Sequence, residues 1–240
     1  MGILRVGVSG MKKRLDQWLA NLGYCSRGDA RGFLKAHCVE VHGERAKNAA
    51  EKVEADWVRV DGEELDFPGG IFVMMNKPAG FTCSHDAREG RLVYELLPER
   101  WRRRNPVVTS VGRLDKETSG LLLLTDLSER VHFFTSPKNK VPKRYVARLD
   151  KAPRADAAEV FSSGSLLLDG EERACAPAEL RWLDERVAEV VLTEGRYHQV
   201  RRMFAAVGAT VMELERVGFG KLELGDLKRG EWRVVGTEEI

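Results

Sequence analysis

The chain has 240 residues, of which 43% are hydrophobic and 32% charged, with 39 Lys and Arg set against 37 Asp and Glu. This is the balance of a soluble globular protein with a real core, built as one large domain or two modest ones. No apolar run approaches the roughly 20 residues that cross a bilayer, so no membrane partner is expected, and residues 1–10 read as a flexible leader rather than a signal peptide.

Charge is spread unevenly. Residues 1–50 carry nine basic side chains against four acids, whereas 51–67 carry seven acids against Lys52 and Arg59. Further basic clusters stand at Arg100/Arg102/Arg103/Arg104, Lys138/Lys140/Lys143/Arg144 and Arg196/Arg201/Arg202. Discrete basic patches on a chain of net charge +2 suit a directed polyanion-binding surface, although any one of them alone is more often a solvated face. The cysteines (Cys25, Cys38, Cys83, Cys175) form no C-x-x-C pair, which fits a reducing cytoplasm. Cys38 with His37 and His42 falls short of a tetrahedral ligand set, so no metal is expected.

In chain order, Leu15, Trp18, Leu19 and Leu22 fall at helical spacing and predict an amphipathic helix over 13–22, ended by Gly23. Ser26 then N-caps a second helix, with Asp29 three residues on and Ala30, Phe33 and Leu34 facing inward. Val39 and Val41 predict a short strand turning at His42-Gly43, and Trp57, Val58 and Val60 another turning at Asp61-Gly62. Arg14 opens the first helix, and Arg27 and Arg31 lie on the first turn of the second. Forked donors beside helix N-termini suit RNA phosphates. The plainer reading pairs Arg27 with Asp29 on the surface.

The stretch RLDQWLANLGYCSRGDARGFLKAHCVEVHG resembles the S4 RNA-binding module, with its R-L-D-x-x-L, S-R and V-x-V-(N/D)-G pattern. His42 stands where Asn or Asp is usual. The resemblance implies binding of structured RNA and nothing about catalysis. Most of the chain lies beyond it, so the module is expected to deliver a catalytic domain.

Acidic, turn-rich EELDFPGG (63–70) reads as a linker, and residues 71–75 as a buried strand closed by Asn76-Lys77-Pro78-Ala79-Gly80. Val107 and Val108 form an apolar segment, and residues 121–124 a continuous apolar run, hence a buried strand. Between them, GRLDKETSG (112–120) makes a charged loop pinned at both ends, able to hold the carboxylate of Asp115 with little freedom. An Asp in a loop more often bonds its own backbone. On the next strand Lys143 and Tyr145 project from one face, so a cation and a ring can share a pocket. After the apolar strand 187–192, Val200, Met203, Phe204 and Val207 define the core stripe of a helix. Arg201 lies on the flank of that stripe, with His198 and Arg202 nearly opposite.

GRLDKETSGLLLLT (112–125) resembles the signature of the RluA/RsuA branch of the pseudouridine synthases, which implies that Asp115 is the catalytic carboxylate. KRYV (143–146) resembles the motif whose tyrosine, here Tyr145, stacks on the target base. EGRYHQVRRMFAAVG (194–208) resembles the third motif of the branch. Of the basic residues there, Arg201 is better placed to pair with Asp115, and Arg196, His198 and Arg202 to meet phosphate. Arg113, Lys143, Arg14, Arg27 and Arg31 complete the expected RNA contacts. The S4 module, FVMMNKPAGFTCS and the third motif together narrow the resemblance to members acting on small-subunit ribosomal RNA. The implied partner is 16S rRNA, free or in an assembling subunit, although large-subunit members share the architecture. A cytoplasmic monomer is expected.

Pseudouridine formation breaks the N1–C1′ bond, turns the uracil and joins C5 to C1′. The nucleotide must leave its stack at a cost of a few kcal/mol, which phosphate contacts and stacking on Tyr145 can offset. Asp115 is needed charged beside the ribose, as nucleophile at C1′ or base toward the C2′ hydrogen, and a neighbouring cation favours that form. Tyr145 can help to move the C5 proton. Bonds rearrange within one substrate, so no cofactor is expected, and neither a P-loop nor a Rossmann fingerprint is present. A non-catalytic S4 factor would leave the Asp115 loop and residues 194–208 unexplained. A methyltransferase would need a glycine-rich loop that 71–80 does not supply, and a glycosidase-like hydrolase would need two opposed carboxylates. The expected fold is α+β: an S4-like module (11–67) and a catalytic domain (68–240) with a mixed, mainly antiparallel sheet flanked by helices.

Overall fold

The computed structural model describes residues 10–240, so the leader expected over 1–10 lies, but for Gly10, outside the described residues. The N-terminal module comprises β1 (Lys12–Arg14), α1 (Leu15–Asn21), α2 (Ala30–Ala36), β2 (Val39–Val41), β3 (Glu44–Arg45), β4 (Lys52–Glu54), β5 (Val58–Val60) and β6 (Glu63–Glu64). Leu15, Trp18 and Leu19 of α1 pack with Ala30 and Leu34 of α2 over Val39, Val53 and Val58. The strands form one sheet ordered β3-β2-β5-β6 and a two-stranded pair, β1-β4. His42-Gly43 and Asp61-Gly62 have positive φ at both positions, as two-residue hairpin turns require. The first helix starts later than its apolar spacing predicts, because Lys13 and Arg14 pair with Val53 and Lys52 of β4. That partner is distant in sequence, so local periodicity carries no sign of it.

The remainder builds β7 (Phe72–Lys77), α3 (Glu99–Arg102), β8 (Thr109–Ser110), β9 (Thr118–Thr125), α4 (Ser128–Thr135), β10 (Lys143–Leu149) and α5 (Ala157–Ser162). It continues through β11 (Glu179–Asp184), β12 (Val187–Leu192), α6 (Gln199–Ala206), β13 (Val211–Phe219), β14 (Leu222–Glu223) and β15 (Trp232–Val234). The central sheet runs β11-β12-β10-β13-β9-β7-β15, with β8 on β9 and β14 on β13. Only the β13–β9 pairing is parallel, so the sheet is mixed and mainly antiparallel.

Every residue of β7 and β9 is buried. Alternation sends Val73, Met75, Leu122 and Leu124 into one core and Phe72, Met74, Leu121 and Leu123 into another. Burial on both faces is why these strands read as unbroken apolar runs. Phe161 of α5 and Met203 and Phe204 of α6 cover the β10–β12 half.

The segment 63–70 is a tied connection rather than a loose linker. Arg104, buried, donates to the carbonyls of Asp66 (2.9 Å) and Phe67 (2.7 Å) and pairs through Nε with Asp126 at 2.8 Å. The N-terminal module rests on the same corner: the Asn105 N–H donates to the Asn21 carbonyl at 2.9 Å. Gly23 approaches so closely that a Cβ there would stand 2.1 Å from the Arg100 carbonyl oxygen. Among the described residues no helix is long and apolar enough to cross a membrane.

Candidate active site

The loop carrying Asp115 is held by a lysine. Lys77, at the end of β7, is fully buried, and its Nζ shares three N–H donors among four carbonyls: Thr118 (2.7 Å) and Pro78, Asp115 and Lys116 (3.1 Å each). Burial pushes its pKa down to about 8. An ammonium taken from water needs such a cage, and the cage in turn fixes the backbone from Asp115 to Thr118. The Gly80 N–H adds a bond to the Lys116 carbonyl at 2.8 Å, and Leu114 is buried beneath. Because β9 begins at Thr118, the free part of the predicted loop is 112–117.

Asp115 opens onto a cavity of about 710 Å³ whose wall includes Lys143, Tyr145, His198 and Arg216. Tyr145 of β10 lies directly across from Arg216 of β13, and Lys143 across from Phe219. The predicted shared face of Lys143 and Tyr145 therefore looks into the cavity. Burial, reinforced by nearby Arg216, lowers the Lys143 pKa to about 8; its Nζ donates to the Val141 carbonyl at 3.0 Å.

The side chain nearest the carboxylate differs from expectation. His198 Nε2 stands 3.5 Å from Asp115 Oδ1, both side chains being over a third exposed. Helical geometry put His198 opposite the core stripe, but α6 begins only at Gln199, and His198 has φ +50. A left-handed residue lies outside the helical wheel, so the 100° rule misdirects it. Arg201 reaches the loop without meeting the carboxylate: its guanidinium donates to the carbonyls of Val211 (2.9 Å) and Glu117 (3.4 Å). Val200, Met203, Phe204 and Val207 are buried, as the stripe requires.

Arg196 and Arg202, expected at phosphate, are committed to the protein. Arg196 donates to the carbonyls of Arg173 and Ala174 (2.6 Å each) and lies against Glu171 and Glu194. Arg202 pairs with Glu171 at 2.8 Å and donates to the Asp169 carbonyl. Glu171 draws both, since a carboxylate between two guanidiniums needs no other counter-charge. Together they staple residues 169–174 beside α6. Arg113, by contrast, is exposed at the cavity wall.

Sequence reasoning missed Lys77 and Arg216. Lys77 closes the apolar run of FVMMNK, a usable signal in retrospect, whereas Arg216 stands beside Glu213 and Glu215 in VMELERVGF and nothing local marks it out.

The sequence model of the RNA pseudouridylate synthases matches residues 71–206. The chain belongs to that family. A model of the S4 domain matches residues 13–56. The chain is 38% identical to ribosomal small subunit pseudouridine synthase A of Pasteurella multocida, over 95% of this chain and 97% of the relative. It is equally 38% identical to the Escherichia coli protein of that name, over 95% and 98%. An uncharacterised RNA pseudouridine synthase of Bacillus subtilis is also 38% identical, over 95% and 96%. Among solved structures, a pseudouridylate synthase crystal structure with 33% identity superposes with a TM-score of 0.66, covering 94% of this chain and 97% of that one.

The protein is therefore a pseudouridine synthase with an appended RNA-binding S4 domain. In that domain Arg14 and Arg27 share Asp16, at 2.6 and 3.5 Å, while Arg31 is exposed. The surface pairing weighed for Arg27 goes to Asp16 rather than Asp29, which Ser26 Oγ occupies instead. Asp16 is held below the usual carboxylate range, mainly by its hydrogen bonds from Arg14.

Proposed function

We propose that this pseudouridine synthase acts on 16S ribosomal RNA, as a cytoplasmic monomer, with Asp115 as the catalytic carboxylate at the ribose. The observation that carries the assignment is the loop itself. Asp115 is a cavity-facing acid whose neighbouring carbonyls are locked by the buried ammonium of Lys77. Small-subunit RNA is supported by the names of relatives covered along nearly their whole length.

The S4 domain (within 11–67) grips the RNA, and the catalytic domain (68–240) receives one flipped nucleotide. Tyr145 stacks on the extruded base, offsetting the few kcal/mol of unstacking. Arg113, exposed at the rim, meets the flanking phosphates. The Asp115 carboxylate then attacks C1′ as N1 leaves, or removes the C2′ hydrogen. On the first course C5 displaces the carboxylate from C1′, and on the second the abstracted hydrogen returns to C2′. Either way the N1–C1′ bond breaks, the uracil turns, the C5–C1′ bond forms, and the C5 proton is lost while N1 takes one up. His198 and Arg201 hold the carboxylate and its loop in register.

The test is Asp115→Asn assayed on 16S and 23S transcripts with pseudouridine mapping. Conversion of 16S should fall by at least about 10³-fold while RNA affinity is kept, because a group acting at the reacting carbon is lost without a change of shape. Undiminished conversion would remove Asp115 from the reaction. Modification of 23S alone would overturn the substrate. Sedimentation at assay concentration checks the monomer.

A further inference from the structure

Arg216 is the most deeply buried guanidinium of the cavity wall, 1% exposed. Its Nε donates to the Leu121 carbonyl at 2.7 Å, and its Cζ lies 4.6 Å from the Phe219 ring centre. Its Nη2 has no partner, and no carboxylate among the described residues forms an ion pair with it. A buried, uncompensated cation costs several kcal/mol, a cost a fold retains where something else completes the site. A second orphan belongs to the same wall: Thr118 Oγ1, also buried without a partner.

The fold goes to some length to put Arg216 there. β13 runs parallel to β9, with Arg216 opposite Gly120, and a Cβ at Gly120 would stand 2.2 Å from the Arg216 carbonyl oxygen. Gly120, at φ +100, thus permits the close approach that sets Arg216 beside Tyr145 on the adjoining strand. Both side chains line the cavity, so a guest stacked on Tyr145 comes beside the guanidinium.

We propose that Arg216 reads the extruded base, its guanidinium donating to a carbonyl oxygen of the uracil and holding the ring while it is detached from the ribose. Between cleavage and rejoining, the negative charge left on the departing base is shared with its carbonyl oxygens. A fixed cation there lowers the barrier to cleavage and keeps the ring from escaping. Lys143, whose charge is opposed by Arg216, gains from the same guest, since an acceptor between two cations relieves both. The assignment rests on this cavity receiving the target uridine.

The experiment combines Arg216→Met with RNA oligonucleotides carrying uridine, 2-thiouridine or 4-thiouridine at the mapped target, read as single-turnover rate and Kd. Sulfur accepts hydrogen bonds poorly. One of the two thio bases should slow the unaltered enzyme about tenfold, as expected for one weakened bond to a charged donor. Arg216→Met should lose roughly 10²-fold in rate with RNA affinity kept, and should no longer distinguish that thio base from uridine. Equal thio penalties in both proteins overturn the proposal, including the case in which affinity falls, which would mark a phosphate contact. Full activity in Arg216→Met beside an inactive Asp115→Asn would leave the site standing and remove Arg216 from it. Should Arg216→Met not melt as a native protein, the same criterion applies to Arg216→Lys, whose single ammonium must alter the thio penalty.

Discussion

The cations of the S4 domain and those of the catalytic cavity meet water on opposite terms. Arg14 and Arg27 keep 42% and 59% of their side chains exposed and lean on one carboxylate, Asp16. Lys77 and Arg216 keep 0% and 1%, and their bonds run to backbone carbonyls. An exposed cation stays hydrated and acts on a polyanion at long range, screened by salt. A buried one is costly to hold and is useful only where it fixes geometry or awaits a guest. On the proposed reading, binding and chemistry are divided between these two kinds of positive charge.

The sharpest way to break this division is Lys77→Met. Four carbonyls lose their donor, so the loop should drift and the thermal midpoint fall. Turnover should drop about 10²-fold or more, since small misplacements of a reacting group cost that much. Filter binding should find RNA affinity intact. An active Lys77→Met enzyme would mean that the loop holds itself.

A smaller effect separates charge from structure by pH. Lys143 titrates near 8 in the folded protein against its ordinary 10.5. Turnover should therefore fall as pH rises through about 8 if its charge serves the base, and Lys143→Arg should move that limb upward. Stability should change in the opposite sense. The folded pKa lies below the unfolded one, so the unfolded chain holds more protons between those values, and stability rises with pH across that window. Lys77, also near 8, adds to the same trend. Urea midpoints measured from pH 7 to 10 check the sign.

The mildest prediction concerns the S4 arginines. Replacing Arg14, Arg27 and Arg31 together with Gln should weaken RNA binding and reduce its salt slope by about one for each phosphate contact removed. Turnover of saturated enzyme should be unchanged. A turnover defect instead would place these arginines in the chemistry and erase the contrast.

Much of this is legible in the sequence. The buried strand at 121–124 announces itself as an apolar run, the half-buried strand at 187–192 as a mostly apolar one, and the α6 core stripe by its spacing. Lys143 and Tyr145 share a face because strand alternation is rigid. Where reading failed, it failed at the ends of periodic elements. Helical spacing projects His198 from a helix to which its backbone does not belong, and it extends α1 over residues 13–14, which pair with a distant strand.

Sequence by itself determined the family, the buried strand at 121–124 and the α6 core stripe, because these follow from local periodicity and from a dense motif. Tertiary structure alone decided which cations are free. Arg196 and Arg202 are consumed by Glu171, Lys77 by four carbonyls, and Arg216 is left with an unmet donor. A side chain's charge is written in its identity, but its partners are set by whichever strands and loops the fold brings within about 3 Å, the reach of a hydrogen bond.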